Sequence, residues 1–125
     1  RNNIAFLGLS FKAGTDDLRN SPTVFLVESL LGKGYSLKLY DYNLNLSLLN
    51  GTNKEFIEKK IPHLGVLLCE NIDEVLVNSE IIVVATNETF YYDYLIKVKN
   101  KIIIDLVGIK NDELVKNNEY IGINW

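Results

Sequence analysis

The sequence has no methionine, one cysteine, one histidine and two prolines, and none of its apolar runs is long. A single cysteine excludes an internal disulfide framework and suits a reducing cytosol, so we expect a cytoplasmic protein. No apolar run approaches the ~18–20 residues of a membrane span, so we expect no membrane partner. The net charge of −3 argues against the broad basic face that general nucleic-acid binding requires, so we expect no nucleic-acid partner.

The chain length suits one domain, because 125 residues of which 47% are hydrophobic can build a full core. The lack of methionine and the start at Arg1, directly before an apolar run, suggest a piece of a longer chain. We therefore expect residues 1–125 to form a single domain whose companion domains lie outside this sequence.

Four short apolar runs predict the strands of a parallel sheet: Ile4–Leu7, Ser36–Tyr40, Ile81–Ala85 and Ile102–Leu106. Three of them are nearly continuous in hydrophobicity, which is typical of strands buried on both faces. Segments of helical period separate the runs, in the order of a doubly wound fold. The predicted fold is therefore α/β, with a Rossmann-like three-layer architecture in which helices flank an open, twisted, mostly parallel sheet.

The clearest predicted helix begins after Ser21, a good N-cap, with Pro22 in the first turn and Gly32 or Gly34 at its end. Three further helices are expected at Ile72–Asn78, at roughly residues 88–98 with cap chemistry from Thr86-Asn87-Glu88, and at Asp112–Lys116. The remaining segments are predicted as an irregular crossover over residues 43–65 with a short helix at Lys54–Lys60, an extended piece at Val66–Cys69, and a last strand or ordered tail at Tyr120–Trp125.

A run of small, polar and charged residues, Gly8–Pro22, connects the first predicted strand to the first helix. Ligands bind at this end of a strand in open α/β sheets. Gly8 and Gly14 permit unusual backbone paths, while Lys12 and Arg19 supply cationic donors. The run is neither a G-x-G-x-x-G fingerprint nor a Walker A loop. On its residues alone it is either a phosphate or carboxylate site or a long connection with solvated charges.

Other candidate residues have simpler interpretations. Asp41 ends the second strand, where it is either the acid that binds a ribose or a residue that caps the following turn. Cys69 is expected to be a small buried hydrophobe, and His63 has no second ligand at metal spacing, so no metal is expected. The aromatic run Phe90–Tyr94 is expected to pack rather than to stack on bases. These residues form no complete catalytic set.

The pattern G-x-x-F-K-x-x-T-x-D-x-R-x-S-P over residues 8–22 resembles the opening of the C-terminal domain of the nucleotide-sugar 6-dehydrogenases. That family includes UDP-glucose and GDP-mannose dehydrogenases, and the resemblance covers the whole chain. Lys54–Leu64, Val107-Gly108 and Trp125 are similar to the GDP-mannose branch. UDP-glucose enzymes typically carry Asp-Gly-Arg after the last core strand, whereas Asp105-Leu106-Val107-Gly108 has no arginine.

The resemblance implies that the whole enzyme oxidises the C6 hydroxyl of a nucleotide-linked hexose twice, with NAD as cofactor. It also implies an N-terminal domain that binds most of the NAD and a central domain through which the enzyme forms a homo-oligomer. Ser10, Phe11 and Lys12 correspond by position to contacts with the nucleotide sugar, and Arg19 to a residue that reaches NAD. The family's catalytic cysteine precedes this domain, so Cys69 does not inherit that role and no catalytic residue is expected here.

Two alternatives remain open at this point. One is the same domain from a dehydrogenase of UDP-glucose, UDP-N-acetylmannosamine or a similar sugar. The other is a stand-alone nucleotide- or anion-binding module with no catalytic partner. In either case we expect the isolated chain to be inactive.

Overall fold

The computed structural model describes residues 3–10, 21–49, 57–59, 62–109 and 111–123. Five strands of this part form one sheet: β1 (Asn3–Leu7), β2 (Ser36–Tyr40), β3 (Ile81–Val84), β4 (Ile102–Asp105) and β5 (Glu119–Gly122). Their order is β2-β1-β3-β4-β5, and every neighbouring pair is parallel. The predicted α/β, Rossmann-like fold is confirmed, and the last segment contains a strand.

Six helices have defined bounds: α1 (Pro22–Gly32), α2 (Tyr42–Leu49), α3 (Pro62–Gly65), α4 (Ile72–Val77), α5 (Thr89–Leu95) and α6 (Asp112–Asn117). Residues 57–59 are also helical. The start of α1 is confirmed, because the Ser21 side chain accepts a hydrogen bond from the Val24 amide at 3.4 Å and Pro22 lies in the first turn. Gly34, just past its end, has a φ of +90°.

The prediction of an irregular segment after β2 is wrong, because α2 occupies Tyr42–Leu49. Leu44, Leu46 and Leu48 alternate with polar residues, and that period of two hid the helix. In the structure Leu44 is buried and Leu48 packs partly against the same core, while Leu46 is 45% exposed. Leu44 and Leu48 are four residues apart, which places them on one helical face.

Three smaller expectations also change. Glu88 occupies the N-cap position of α5 without a side-chain capping bond, so the predicted cap chemistry there is wrong. That helix ends at Leu95 rather than near residue 98. The piece at Val66–Cys69 is mostly turn, with Leu68 in an isolated parallel bridge to Leu39. Of the predicted helix at Lys54–Lys60, only residues 57–59 lie within the described part.

Two hydrophobic clusters cover the opposite faces of the sheet. Alternate residues of β1 divide between them: Ala5 and Leu7 join the cluster that contains α4 and α5, while Ile4 and Phe6 join the one that contains α1. Ala5, Phe6 and Leu7 are fully buried. β1 is therefore the centre of a three-layer domain, covered on both faces by helices.

Candidate functional site at the carboxyl edge of the sheet

The strand order reverses next to β1. The chain leaves β1 through α1 to reach β2 on one side, and then returns past β1 to form β3 on the other. In doubly wound sheets of this order, ligands bind outside the carboxyl ends of the strands at that reversal. The segment Gly8–Pro22 begins there, so the predicted anion loop starts at the position where sheets of this order usually bind ligands.

Gly8 lets the chain leave β1 in close contact with the end of β3. Its φ is +99°, a conformation that favours glycine, and its amide donates to the Tyr40 carbonyl at 2.8 Å. A Cβ at this position would lie 2.1 Å from the Thr86 Oγ1 atom. Since neither the backbone angle nor the space admits a side chain, this path requires glycine.

Asp41 connects the end of β2 to the residues that follow β1. Its Oδ2 atom accepts hydrogen bonds from the amides of Leu9 at 2.7 Å and Ser10 at 3.4 Å. Its Oδ1 atom accepts from the Leu44 amide at 2.8 Å, which caps the first turn of α2. Burial raises the pKa of Asp41, although its three backbone hydrogen bonds oppose the shift. The turn-capping interpretation is confirmed, because backbone amides engage both carboxylate oxygens.

Two hydroxyl groups complete the attachment of this segment. Thr86, just past β3, donates from Oγ1 to the Ser10 carbonyl at 2.7 Å. Ser21, at the other end of the connection, donates from Oγ to the Leu9 carbonyl. We call Asp41, Thr86 and Ser21 the loop clamp. It ties the residues on either side of the connection to one another and to the ends of β2 and β3.

The predicted site residues fall into two groups. Ser10 is fully buried, and the loop clamp holds it on both sides: its amide donates to Asp41 and its carbonyl accepts from Thr86. Phe11, Lys12 and Arg19 lie outside the described residues, so their roles stay predictions. Sequence reasoning missed Thr86 as part of the site, since its partner Ser10 is 76 positions away.

A second junction of similar chemistry lies at the end of β4. The fully buried Asp105 carboxylate accepts from the amides of Val107 at 3.0 Å, Gly108 at 2.8 Å and Ile109 at 2.7 Å. It also accepts from the Tyr120 hydroxyl on β5. These contacts shape the segment Asp105–Gly108, in which the family's UDP-glucose enzymes typically carry an arginine that this chain lacks. The sequence signal for this junction was an aspartate at the end of a strand, followed two residues later by a Val-Gly pair.

The aromatic residues of α5 serve packing, as predicted. Phe90 stacks on Tyr42 with ring centroids 4.4 Å apart and contacts Tyr94 at 5.2 Å. Tyr91 is 1% exposed, and its hydroxyl accepts from the Tyr42 amide at 3.1 Å. Burial strongly raises the pKa of Tyr91, so this hydroxyl stays protonated.

Cys69 and His63 do not join the site. Burial raises the pKa of the Cys69 thiol, which disfavours the reactive thiolate. The His63 Nε2 atom lies 2.7 Å from a carboxylate oxygen of Glu28, which links α3 to α1. Among the described residues, no group of three or more His, Cys, Asp or Glu side chains is placed to bind a metal ion. Within the same part of the chain, no helix has the length and apolarity to cross a membrane.

These features define an α/β domain of the Rossmann-like class, with the loop clamp at the carboxyl edge of its sheet. Residues 5–112 match the family described as "UDP-glucose/GDP-mannose dehydrogenase family, UDP binding domain". The chain belongs to this family, whose members are NAD-dependent dehydrogenases. The expected resemblance is therefore confirmed.

Individual relatives agree with this assignment. The GDP-mannose 6-dehydrogenase of Pseudomonas putida is 47% identical over 123 residues, which cover 98% of this chain and 28% of that protein. The UDP-glucose 6-dehydrogenase of Rickettsia felis is 36% identical over 122 residues, covering 91% of this chain and 25% of that protein. The crystal structure of a ternary complex of GDP-mannose dehydrogenase from Pseudomonas aeruginosa superposes with a TM-score of 0.84 at 41% identity, over 99% of this chain and 28% of that one. The chain thus spans about a quarter of the length of these relatives.

Proposed function

We propose that this chain is the nucleotide-sugar-binding, C-terminal domain of an NAD-dependent 6-dehydrogenase that converts GDP-mannose to GDP-mannuronate by two hydride transfers. The observation that carries the proposal is the loop clamp at the β1/β3 reversal. It buries three polar side chains to hold the two sides of one connection, and that connection carries the family's motif. In this proposal the described residues of this edge hold the two ends of a ligand-binding loop, and the catalytic groups belong to another domain of the enzyme.

The proposed substrate contacts are Phe11 and Lys12, while Ser10, which is fully buried, contributes to the site by holding the start of this pair. A nucleotide diphosphate carries at least two negative charges, and a lysine ammonium is a mobile point charge that suits it. Phe11 supplies a flat apolar face for a base or a sugar. The clamp holds the residue immediately before this pair, which gives the pair a defined starting point at the ligand-binding edge.

The described residues do not fit the main NAD site. The acid at the end of β2, Asp41, is 1% exposed and its carboxylate already accepts three backbone amides, so it does not present a free edge to a ribose. The G-x-G-x-x-G fingerprint is also missing from the sequence. NAD is therefore assigned mainly to an N-terminal domain, with Arg19 reaching it across the domain boundary. When bound, NAD accepts the hydride that leaves the sugar.

The remaining partners follow from the same proposal. This domain closes against its own N-terminal and central domains, and the complete enzyme is a homo-oligomer in the cytoplasm. The base of the substrate is assigned from identity, which is 47% to a GDP-mannose relative and 36% to a UDP-glucose relative.

Calorimetric titration of the complete gene product with GDP-mannose and with UDP-glucose tests this proposal, together with NADH absorbance in the presence of NAD. We expect GDP-mannose to bind more tightly and to yield two NADH per sugar. Tighter binding of UDP-glucose would favour the UDP-sugar enzyme, which the 36% relative supports. If the protein bound a nucleotide sugar but formed no NADH, the result would favour the alternative of a nucleotide-binding module without catalytic activity.

Two substitutions locate the site within the loop. Lys12→Ala should raise the KM for the nucleotide sugar by at least about ten-fold, the factor that 1.4 kcal/mol of lost binding represents. Lys33→Ala, at an exposed position beyond α1, is the control with the same change of charge. Arg19→Ala should weaken NAD binding while the affinity for the sugar nucleotide is largely kept. Equal effects of the two lysine substitutions would remove Lys12 from the site.

A further inference from the structure

We propose that Thr86 is a positioning residue for the nucleotide sugar: its hydroxyl orients the peptide unit from which the Phe11–Lys12 pair begins. This inference rests on the proposed function, because it assigns to a residue of another strand a part in the same binding event. Thr86 is 2% exposed and lies just beyond the end of β3. It therefore acts on a ligand only through the loop.

The first step of the argument is that Thr86 itself is held firmly. Its amide donates to the Leu7 carbonyl at 3.3 Å, and the preceding amide, of Ala85, donates to the same oxygen at 2.9 Å. Its Oγ1 atom lies so close to Gly8 that a Cβ there would be only 2.1 Å away. The position of this hydroxyl is therefore set by β1 and β3 together.

The second step concerns which atoms the hydroxyl fixes. It donates to the Ser10 carbonyl at 2.7 Å, and that carbonyl shares one planar peptide unit with the amide nitrogen of Phe11. Orienting the carbonyl therefore orients the bond through which the chain enters Phe11. Phe11 and Lys12, the two predicted contacts, are the next two residues in the sequence.

The third step is that the neighbouring peptide unit is held from the opposite side. The Ser10 amide points to the Asp41 Oδ2 atom at 3.4 Å, at the end of β2. The two peptide units that meet at Ser10 are thus attached to β2 and β3, the strands on either side of β1.

The test compares Thr86→Val with Thr86→Ser in the complete gene product. Valine keeps the shape and removes the donor, so we expect the KM for GDP-mannose to rise about ten-fold with kcat changed less than about three-fold. Serine keeps the donor and should restore most of the affinity. Ser79→Ala is the matched control, because Ser79 is also buried and also donates to a carbonyl at 2.7 Å, but at the opposite edge of the sheet. Its KM should equal that of the wild type.

A double-mutant cycle with Lys12→Ala separates positioning from general stability. If Thr86 acts through the Phe11–Lys12 pair, the valine substitution should add little to the KM once Lys12 is gone. Fully additive effects, or a Thr86→Val enzyme with wild-type KM, would overturn the inference. A rise in KM for Ser79→Ala equal to that for Thr86→Val would do the same, since any loss of a buried hydroxyl would then suffice.

Failure of the proposed function has a different signature. A wild-type gene product that binds no nucleotide sugar would end both proposals before any variant is made. A wild type that binds GDP-mannose, with Thr86→Val and Thr86→Ser both unchanged, would end only the positioning role. Preference for UDP-glucose would correct the base, and the same variants would then be measured with that substrate.

Discussion

Asp41 and Asp105 are two buried aspartates at the same edge of one sheet, and they anchor their surroundings in different ways. Each ends or follows a strand, is at most 1% exposed and accepts three backbone amides. The amides on Asp105 all come from the next four residues. Two of those on Asp41 come from residues 31 and 32 positions earlier in the chain.

The difference shows what each junction contributes. The three amides on Asp105 shape the loop that follows β4. The amides of Leu9 and Ser10 reach Asp41 only when β2 is paired with β1, so these two contacts couple the position of the ligand loop to assembly of the sheet. The junction at Asp41 is therefore the one that transmits the fold to the proposed binding residues, and disturbing it should have wider effects.

The largest expected effect is that of Gly8→Ala at the Asp41 junction. The substitution forces a side chain into a φ of +99° and against Thr86, so we expect a loss of about 3–4 kcal/mol in the free energy of unfolding. Gly34→Ala is the control, since Gly34 has a φ of +90° with nothing within 4 Å of the added Cβ. It should cost about 1–2 kcal/mol, the backbone part alone. Urea unfolding measures both, and equal losses would show that contact with Thr86 is unimportant.

Next in size is the effect of Asp41→Asn, compared with Asp105→Asn. An asparagine side chain presents one acceptor oxygen where aspartate presents two, so Asp41→Asn leaves at least one buried amide unpaired and should cost about 2 kcal/mol. Amide hydrogen exchange should accelerate at Leu9 and Ser10 and also at Leu44 in this variant. In Asp105→Asn the acceleration should be confined to residues 107–109. Faster exchange at Leu9 in the second variant would contradict the separation of the two junctions.

The sequence predicted most elements that a local pattern specifies, with α2 as the exception, and it missed side-chain contacts whose partners are distant in the chain. The strand Ser36–Tyr40 and the start of α1 at Ser21 were predicted correctly, because a short apolar pattern and a local cap specify them. Thr86 was assigned to local capping, whereas its hydroxyl binds Ser10 from across the sheet. Glu88, assigned likewise, contacts Asn43 instead. No local pattern contains that information.

The same limit applies to the candidate site. The motif of residues 8–22 identified the loop, but the residues that hold it lie on β2 and β3. Capping was one of the two interpretations of Asp41, and only the paired strands reveal that this residue also holds Leu9 and Ser10. The order of the strands, and therefore the reversal between β1 and β3, depends on how all the strands and helices pack together, and no single segment of the sequence specifies it.

A smaller effect should distinguish burial from hydrogen bonding at Asp41. Burial raises its pKa above the ordinary value of 3.8, so the folded protein retains this proton at pH values where the unfolded chain has released it. The stability that this group contributes is therefore fully present below pH 3.8 and is lost as the pH rises through the folded pKa. The difference in unfolding free energy between wild type and Asp41→Asn should be larger near pH 4 than at pH 7, with a slope below about 1.4 kcal/mol per pH unit. A difference that grows with pH would mean that the three amides outweigh burial.

The smallest expected effect is that of Tyr120→Phe, which removes the hydroxyl that β5 donates to the Asp105 carboxylate. Three amides from the adjacent loop remain on Asp105, so the loss should be about 1 kcal/mol. Tyr35→Phe, at an exposed position, is the control for loss of a phenol hydroxyl. If Tyr120→Phe lowered the free energy of unfolding by about 3 kcal/mol or more, the size expected for breaking a buried hydrogen-bond network, β5 would anchor the loop after β4 as strongly as β2 anchors the loop after β1. The two aspartates would then be equivalent, and the special coupling of Asp41 to the ligand loop would have to rest on Thr86 alone.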